Sequence, residues 1–376
     1  MDTLVKYFTG STFHHIERSR GLLVRIPPGL PNELYPLAQT CHQMINQIIK
    51  EFQELVDDPP EERLRRFRRA VYDLNAVETI ALPALERFNE RDDVFLNRLV
   101  GRIKKEIDYP LLPPVVTSLS QEYFHIYQPL NLLFVPLSEG DSLLHLPDLY
   151  HELGHPLLTQ TQHPKVKLLH RAAIEGLGIA LEYLQVELEK EDRRRSPRAF
   201  SYYLKNWRNS WGYWIIELFC DLFAIHTIGP AFAWAHLHLW AKLGDDPFEI
   251  PLFTTSSHPA DQARMTIMLY GLRNSGFSDV GDVIKTRWEE MISISGMKPE
   301  PEYFRCFPDS LLEKIADKAL AGFQAMGCKI TSPSTNGPIF ELLNQAWSQF
   351  WQNPTGYAEW EHESVNKLRK ECGLSE

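Results

Sequence analysis

The 376-residue chain has only five cysteines, Cys41, Cys220, Cys306, Cys328 and Cys372, widely spaced and with no CxxC pair. That argues against a disulfide framework or a thiolate zinc knuckle and suits a reducing compartment. Long apolar runs are missing too. The best of them, Ile228 to Trp240, is interrupted by His236 and His238 and falls short of the roughly 20 residues a spanning helix needs. The opening MDTLVKYFTGSTFHHIERSRG lacks the basic flank, apolar stretch and small-residue site of a secretory leader. A cytoplasmic protein that neither enters nor binds a membrane is therefore expected. Basic excess is absent: 39 Lys and Arg against 49 Asp and Glu give a net charge of −10, which opposes condensation onto phosphate. No nucleic-acid partner is expected. There is no repeat and no low-complexity tract, and with hydrophobic residues at 44% and charged residues at 23% the composition is that of a folded globular chain.

From Leu34 to about Ile107 apolar residues recur at spacings of three and four, as in Leu64, Phe67, Val71 and Leu74, which predicts helices. The segment Asp57 to Glu62, reading DDPPEE, supplies prolines and acids suited to opening one of them. The run Arg63, Arg65, Arg66, Arg68 and Arg69 reads as a solvated helix face. After Tyr109-Pro110-Leu111-Leu112-Pro113-Pro114 the style changes: Val115, Val116 and Tyr123 to Tyr127 look extended, and Asn131 to Val135 predicts a strand ended by Pro136. A terminal proline suits an edge strand. Helices are then expected over Pro147 to His155, Val166 to Lys190 and Trp211 to His226, with a loop from Gly244 to Pro259. The fold class expected is mainly α with a small β-sheet. Its regions are a helical part at 1–110, a core at 111–290 and a helical part at 291–376. The aromatic group Trp347, Phe350, Trp351, Tyr357 and Trp360 reads as core-closing in preference to a peptide-docking surface.

Chemistry concentrates at His151-Glu152-Leu153-Gly154-His155, an HExxH pattern. Its two histidines stand one helical turn apart and can grip one ion, and Glu152 stands beside it as a general base. Pro147 and Asp148 favour a helix start here, and Leu146, Leu149, Leu153 and Leu157 follow a core-facing spacing. Pro156 removes the hydrogen bond to the Glu152 carbonyl, so the helix is expected to end or kink there. A catalytic zinc normally takes three protein ligands. Glu217 and Asp221 lie four residues apart on an otherwise apolar helix, where unpaired burial would be costly. Zinc on Glu217, with Asp221 accepting the second ring N–H of a ligand histidine, satisfies both; the alternative is a pair bonded to a buried arginine or to water. Glu175, 20 residues after His155, is the rival third ligand. His145, His170, His226, His236 and His238 are read as core or surface residues.

His151 to His155 followed by Glu217-x-x-x-Asp221 resembles the zincin metallopeptidases whose third ligand is glutamate, the gluzincins. Ser257-His258-Pro259 with Arg264 six positions after His258 is similar to the histidine-proline-arginine element of their CAAX prenyl protease group. The likeness covers about Leu130 to Met268. It implies a zincin-like core with Zn2+ held by His151, His155 and Glu217. It also implies Glu152 as general base, His258 as oxyanion donor, Asp221 behind a ligand histidine and Arg264 as support. Glu175 has a separation similar to that in the thermolysin and aminopeptidase branches, but Glu217 is preferred for its Asp221 partner and the following His-Pro-Arg element. The membrane-embedded relatives have spanning helices that this chain lacks, so their prenylated substrate is not carried over. The function expected is zinc-dependent hydrolysis of a protein or peptide substrate, along which the Asn131-to-Val135 strand borders the cleft. The competing expectation is a zinc-binding interaction protein without hydrolytic activity.

Overall fold

The computed structural model describes residues 2–55, 58–87, 90–120, 123–136, 139–194, 198–243 and 246–374. Asp57 and Gly244, which bound two of the expected segments, lie outside them. The chain groups into two units, one of Met1–Gly101, Pro114–Leu137 and Cys372–Glu376, the other of Arg102–Pro113 and Ser138–Glu371. This differs from the three regions at 1–110, 111–290 and 291–376. The sheet belongs with the N-terminal helices because its apolar side chains Val115, Leu132 and Phe134 share their core.

The first unit holds α1 (Asp2–Arg25), α2 (Tyr35–Glu54), α3 (Pro60–Ala76), α4 (Leu82–Glu86) and most of α5 (Arg91–Glu106), with a π-helical segment at Val77–Ala81 between α3 and α4. Helix α2 shows why: Leu37, Cys41, Ile45, Ile48 and Phe52 bury one stripe, the three-four spacing that packs a helix on a core. Pro60 opens α3 at its first turn, as the DDPPEE segment predicts.

The strands are β1 (Val115–Ser120), β2 (His125–Tyr127) and β3 (Leu132–Pro136), in the order β1-β3-β2. Strand β3 pairs parallel with β1 and antiparallel with β2. The expected edge strand is thus central. Its four residues Leu132 to Val135 are all buried, as a strand covered on both faces requires. Pro136 is tolerated because it falls at the strand end, opposite an irregularity in the β1 ladder between Thr117 and Ser120. The other side of β1 is closed by α5: Asn97 bonds both Val116 backbone groups, at 2.7 and 2.9 Å, and Asp93 accepts from the Ser118 amide at 2.9 Å. Alignment of a substrate along an exposed edge at β3 is thereby excluded.

The second unit is helical: α6 (Asp148–Thr159), α7 (Lys167–Arg194), α8 (Arg198–Ile228), α9 (Pro230–Leu243), α10 (Asp261–Asn274), α11 (Ser278–Ser295), α12 (Pro301–Cys306), α13 (Asp309–Met326), α14 (Pro338–Gln352) and α15 (Tyr357–Glu371). Helix α8 contacts α6, α7, α9, α10 and α13, burying Trp207, Trp211, Trp214, Leu218, Phe219, Leu222 and Phe223. Gly271 lets α10 approach it, since a Cβ there would stand 2.8 Å from Leu222. Of the C-terminal aromatics Trp347 and Tyr357 are buried, as expected of core-closing rings, whereas Trp351 is exposed. Among the described residues no helix is long and apolar enough to cross a membrane.

Candidate metal centre

Helix α6 carries the HExxH residues, with Asp148 in its first turn and Leu149, Leu153 and Leu157 buried. It does not stop at Pro156 but runs to Thr159. Proline forfeits one intrahelical bond, while burial of Pro156, Leu157 and Leu158 favours keeping the last turn packed. The following turn closes normally, with the Gln160 amide 3.0 Å from the Pro156 carbonyl. Gly154 faces α8 so closely that a Cβ would lie 2.9 Å from the Cys220 Cα. That close crossing brings the α8 carboxylates to the histidines.

His151 Nε2 is 3.3 Å from one Glu217 oxygen, and His155 Nε2 is 3.9 Å from the other. Two donors on a tetrahedral zinc lie roughly 3.3 Å apart, given bonds of about 2.0–2.1 Å, so the first separation matches and the second is slightly wide. The two distances run to different oxygens of Glu217, and two imidazoles with a carboxylate are donor types that zinc takes. Behind it, His151 Nδ1–H donates to Asp221 at 2.8 Å, and Arg264 donates to both Asp221 oxygens at 2.8 and 2.7 Å. An ionised Asp221 accepts only, which places a proton on Nδ1 and leaves Nε2 for a metal.

Charge is concentrated where water is scarce. Burial opposes ionisation of Asp221, but Arg264 and His151 outweigh it and hold the carboxyl far below its usual range. Burial likewise opposes charge on Glu217 and on His151. Their mutual hydrogen bond, with that of Asp221 to His151, brings Glu217 down to about 2 and His151 up to about 10 in the metal-free protein. His155 is lowered to about 4 by burial and by the neighbouring His151. Glu152 is raised to about 7, chiefly by burial and then by Glu217 and Asp148, with His151 opposing. A carboxyl poised near neutrality suits proton transfer in both directions.

The loop before α10 brings His258 to the same place, its Nε2 3.9 Å from Glu217 and its side chain 65% exposed. Helix α8 anchors that loop: Asn206 donates to Leu252, Trp207 to Pro251, and the Ser210 hydroxyl accepts from the Ser256 amide. Ser257 Oγ is 2.9 Å from His258 Nδ1. An open depression of about 630 Å³ is lined here by Trp240, Asp246, Glu249, His258 and Arg264 among others. A slightly larger hollow of about 740 Å³ between α10 and α11 contains none of the motif residues.

Of the residues singled out from sequence, His151, Glu152, His155, Glu217, Asp221, His258 and Arg264 all belong to this neighbourhood. Glu175 does not: it is exposed on α7, 2.8 Å from Lys318 and 3.6 Å from Arg171. The other histidines have protein neighbours, His145 at Glu139, His170 at the Leu158 carbonyl, His226 at Ser275, His236 at Asp261 and His238 against Trp347. Sequence reasoning missed Cys220. Its sulfur and the ring nitrogens of His151 and His155 offer ligand atoms all within 4.8 Å of one another. The signal was its spacing, three residues after Glu217 and hence on the same helix face. No family model matches this chain, and neither does any curated protein or solved structure.

Proposed function

We propose that the chain is a zinc-dependent metallopeptidase of gluzincin type, acting in the cytoplasm on a protein or peptide substrate. One observation carries the reading: two helical histidines and Glu217 converge while Asp221 and Arg264 fix the tautomer of His151. His151, His155 and Glu217 would hold the ion. Zinc at such a site polarises a carbonyl and acidifies water. Glu152, buried beside the histidines on α6, would take the proton of the attacking water and return it to the leaving amine. His258, partly exposed at the depression, donates a hydrogen bond to the developing oxyanion.

The test is Glu152→Gln assayed on unfolded casein. Glutamine keeps the shape but cannot accept the proton, so zinc content and fold should persist while hydrolysis falls by roughly 10²- to 10⁴-fold. Hydrolysis at the wild-type rate sinks the assignment. Cys220 favours a second reading, a zinc-binding interaction protein, because its buried sulfur beside the two histidines gives the cysteine-and-histidine donor types that structural zinc sites use. On that reading neither the wild type nor the variant cleaves, and both hold zinc equally.

A further inference from the structure

We propose that the centre has two alternative donor sets sharing His151 and His155, an oxygen set completed by Glu217 and a sulfur set completed by Cys220, and that the second takes soft cations such as Cd2+. The inference rests on the proposed metal centre but not on its hydrolytic activity. Glu217 meets the histidines through different oxygens at 3.3 and 3.9 Å. Cys220 is fully buried in the crossing of α6 and α8, and its ligand atom forms a mutual triad with theirs within 4.8 Å. Among the described residues no fourth His, Cys, Asp or Glu joins that triad. The cysteine therefore replaces Glu217 instead of adding to it.

Two physical points make the choice depend on the ion. Thiolate sulfur is soft and favours polarisable cations, while carboxylate oxygen favours harder ones. Glu217 and Cys220 lie three residues apart on one turn of α8, so the two alternative donors differ by only about 4.5 Å in height along the helix. Coordination replaces the S–H bond with a sulfur–metal bond, and the proton leaves to solvent. In the sulfur set Glu217 stays beside His258 but no longer holds the ion. A soft ion bound there occupies the histidines without the arrangement assigned to hydrolysis.

The test uses Cd2+ alone on metal-free protein, read by ultraviolet thiolate-to-cadmium charge-transfer absorption and by equilibrium dialysis. Wild type should show the band. Glu217→Gln should keep it, and Cys220→Ser should lose it and bind Cd2+ at least about tenfold more weakly. Cys220→Ala serves as a second variant, and circular dichroism checks that each is folded. Cadmium bound without the band, a band that survives both Cys220 variants, or no cadmium binding at all overturns the inference. Zinc content and the effect of Glu152→Gln are measured separately. Failure of the sulfur set with those intact leaves the proposed function standing, whereas loss of zinc binding as well removes both.

Discussion

The Glu217 carboxylate faces His151, His155 and His258 at 3.3 to 3.9 Å, whereas Glu175 faces only surface cations. Glu217→Ala is thus expected to weaken zinc binding by at least roughly 10- to 100-fold, and Glu175→Ala to leave it unchanged. Isothermal titration with Zn2+ decides, and the reverse order would return the third ligand to Glu175. His258 makes a different prediction because it lies at the mouth of the site and is no member of either donor set. His258→Ala should keep zinc and slow turnover by roughly 10²- to 10³-fold, the scale of one lost oxyanion donor. Unchanged turnover with zinc in place makes the His-Pro-Arg element a structural loop. The grouping of these side chains was legible in the sequence because histidines one helical turn apart on a single helix leave a local signature, as do Glu217 and Asp221. Cys220 left only its spacing from Glu217, and a cysteine among Phe219, Leu222 and Phe223 has the sequence appearance of core packing.

The crossing of α6 and α8 turns two local motifs into one site, and a glycine permits it. Replacing glycine by alanine inside a helix ordinarily gains up to about 1 kcal/mol. At Gly154 the added Cβ would meet the Cys220 backbone at 2.9 Å, and backbone cannot rotate away. Gly154→Ala is therefore expected to destabilise by about 1–3 kcal/mol and to weaken zinc binding by forcing α6 from α8. Gly178 within α7 is the control, because nothing lies within 4 Å of a Cβ there, and Gly178→Ala should stabilise. Urea unfolding of the two variants gives the sign in each case; equal stabilisation would show that the crossing has slack. Individual helices were readable from periodicity, but which helices cross was not, since the partner of Gly154 lies 66 residues away at position 220. Strand β3 shows the same limit. Its terminal proline signalled an edge, and only the pairing of β1 and β2 on its two sides reveals a central strand.

The nine tryptophans all fall between Trp207 and Trp360, within the second unit, so tryptophan fluorescence reports unfolding of that unit alone. The same unit buries histidines as neutral rings. Burial lowers His226 from 6.5 to about 4, and it lowers His145 to about 4, with His238 and Lys242 adding to it and Glu139 opposing. Between those values the unfolded chain binds a proton that the native ring refuses. Stability therefore falls as pH drops through 6.5 and levels off below about 4. Glu152, raised to about 7 chiefly by burial, acts in the opposite sense over pH 7 to 4.5 and offsets roughly one histidine. His151, held up in the metal-free protein, loses its contribution only as pH rises towards 10 and so leaves the acid limb unchanged. For His226 alone the loss at pH 5 is about 2 kcal/mol. Its Nδ1 lies 2.8 Å from the Ser275 hydroxyl, a bond that asparagine can replace without a titrating group. Urea unfolding followed by tryptophan fluorescence at pH 7 and pH 5 should show wild type losing more stability than His226→Asn by about that amount. An equal loss in both proteins would mean that the buried ring at 226 is not what couples this unit to pH.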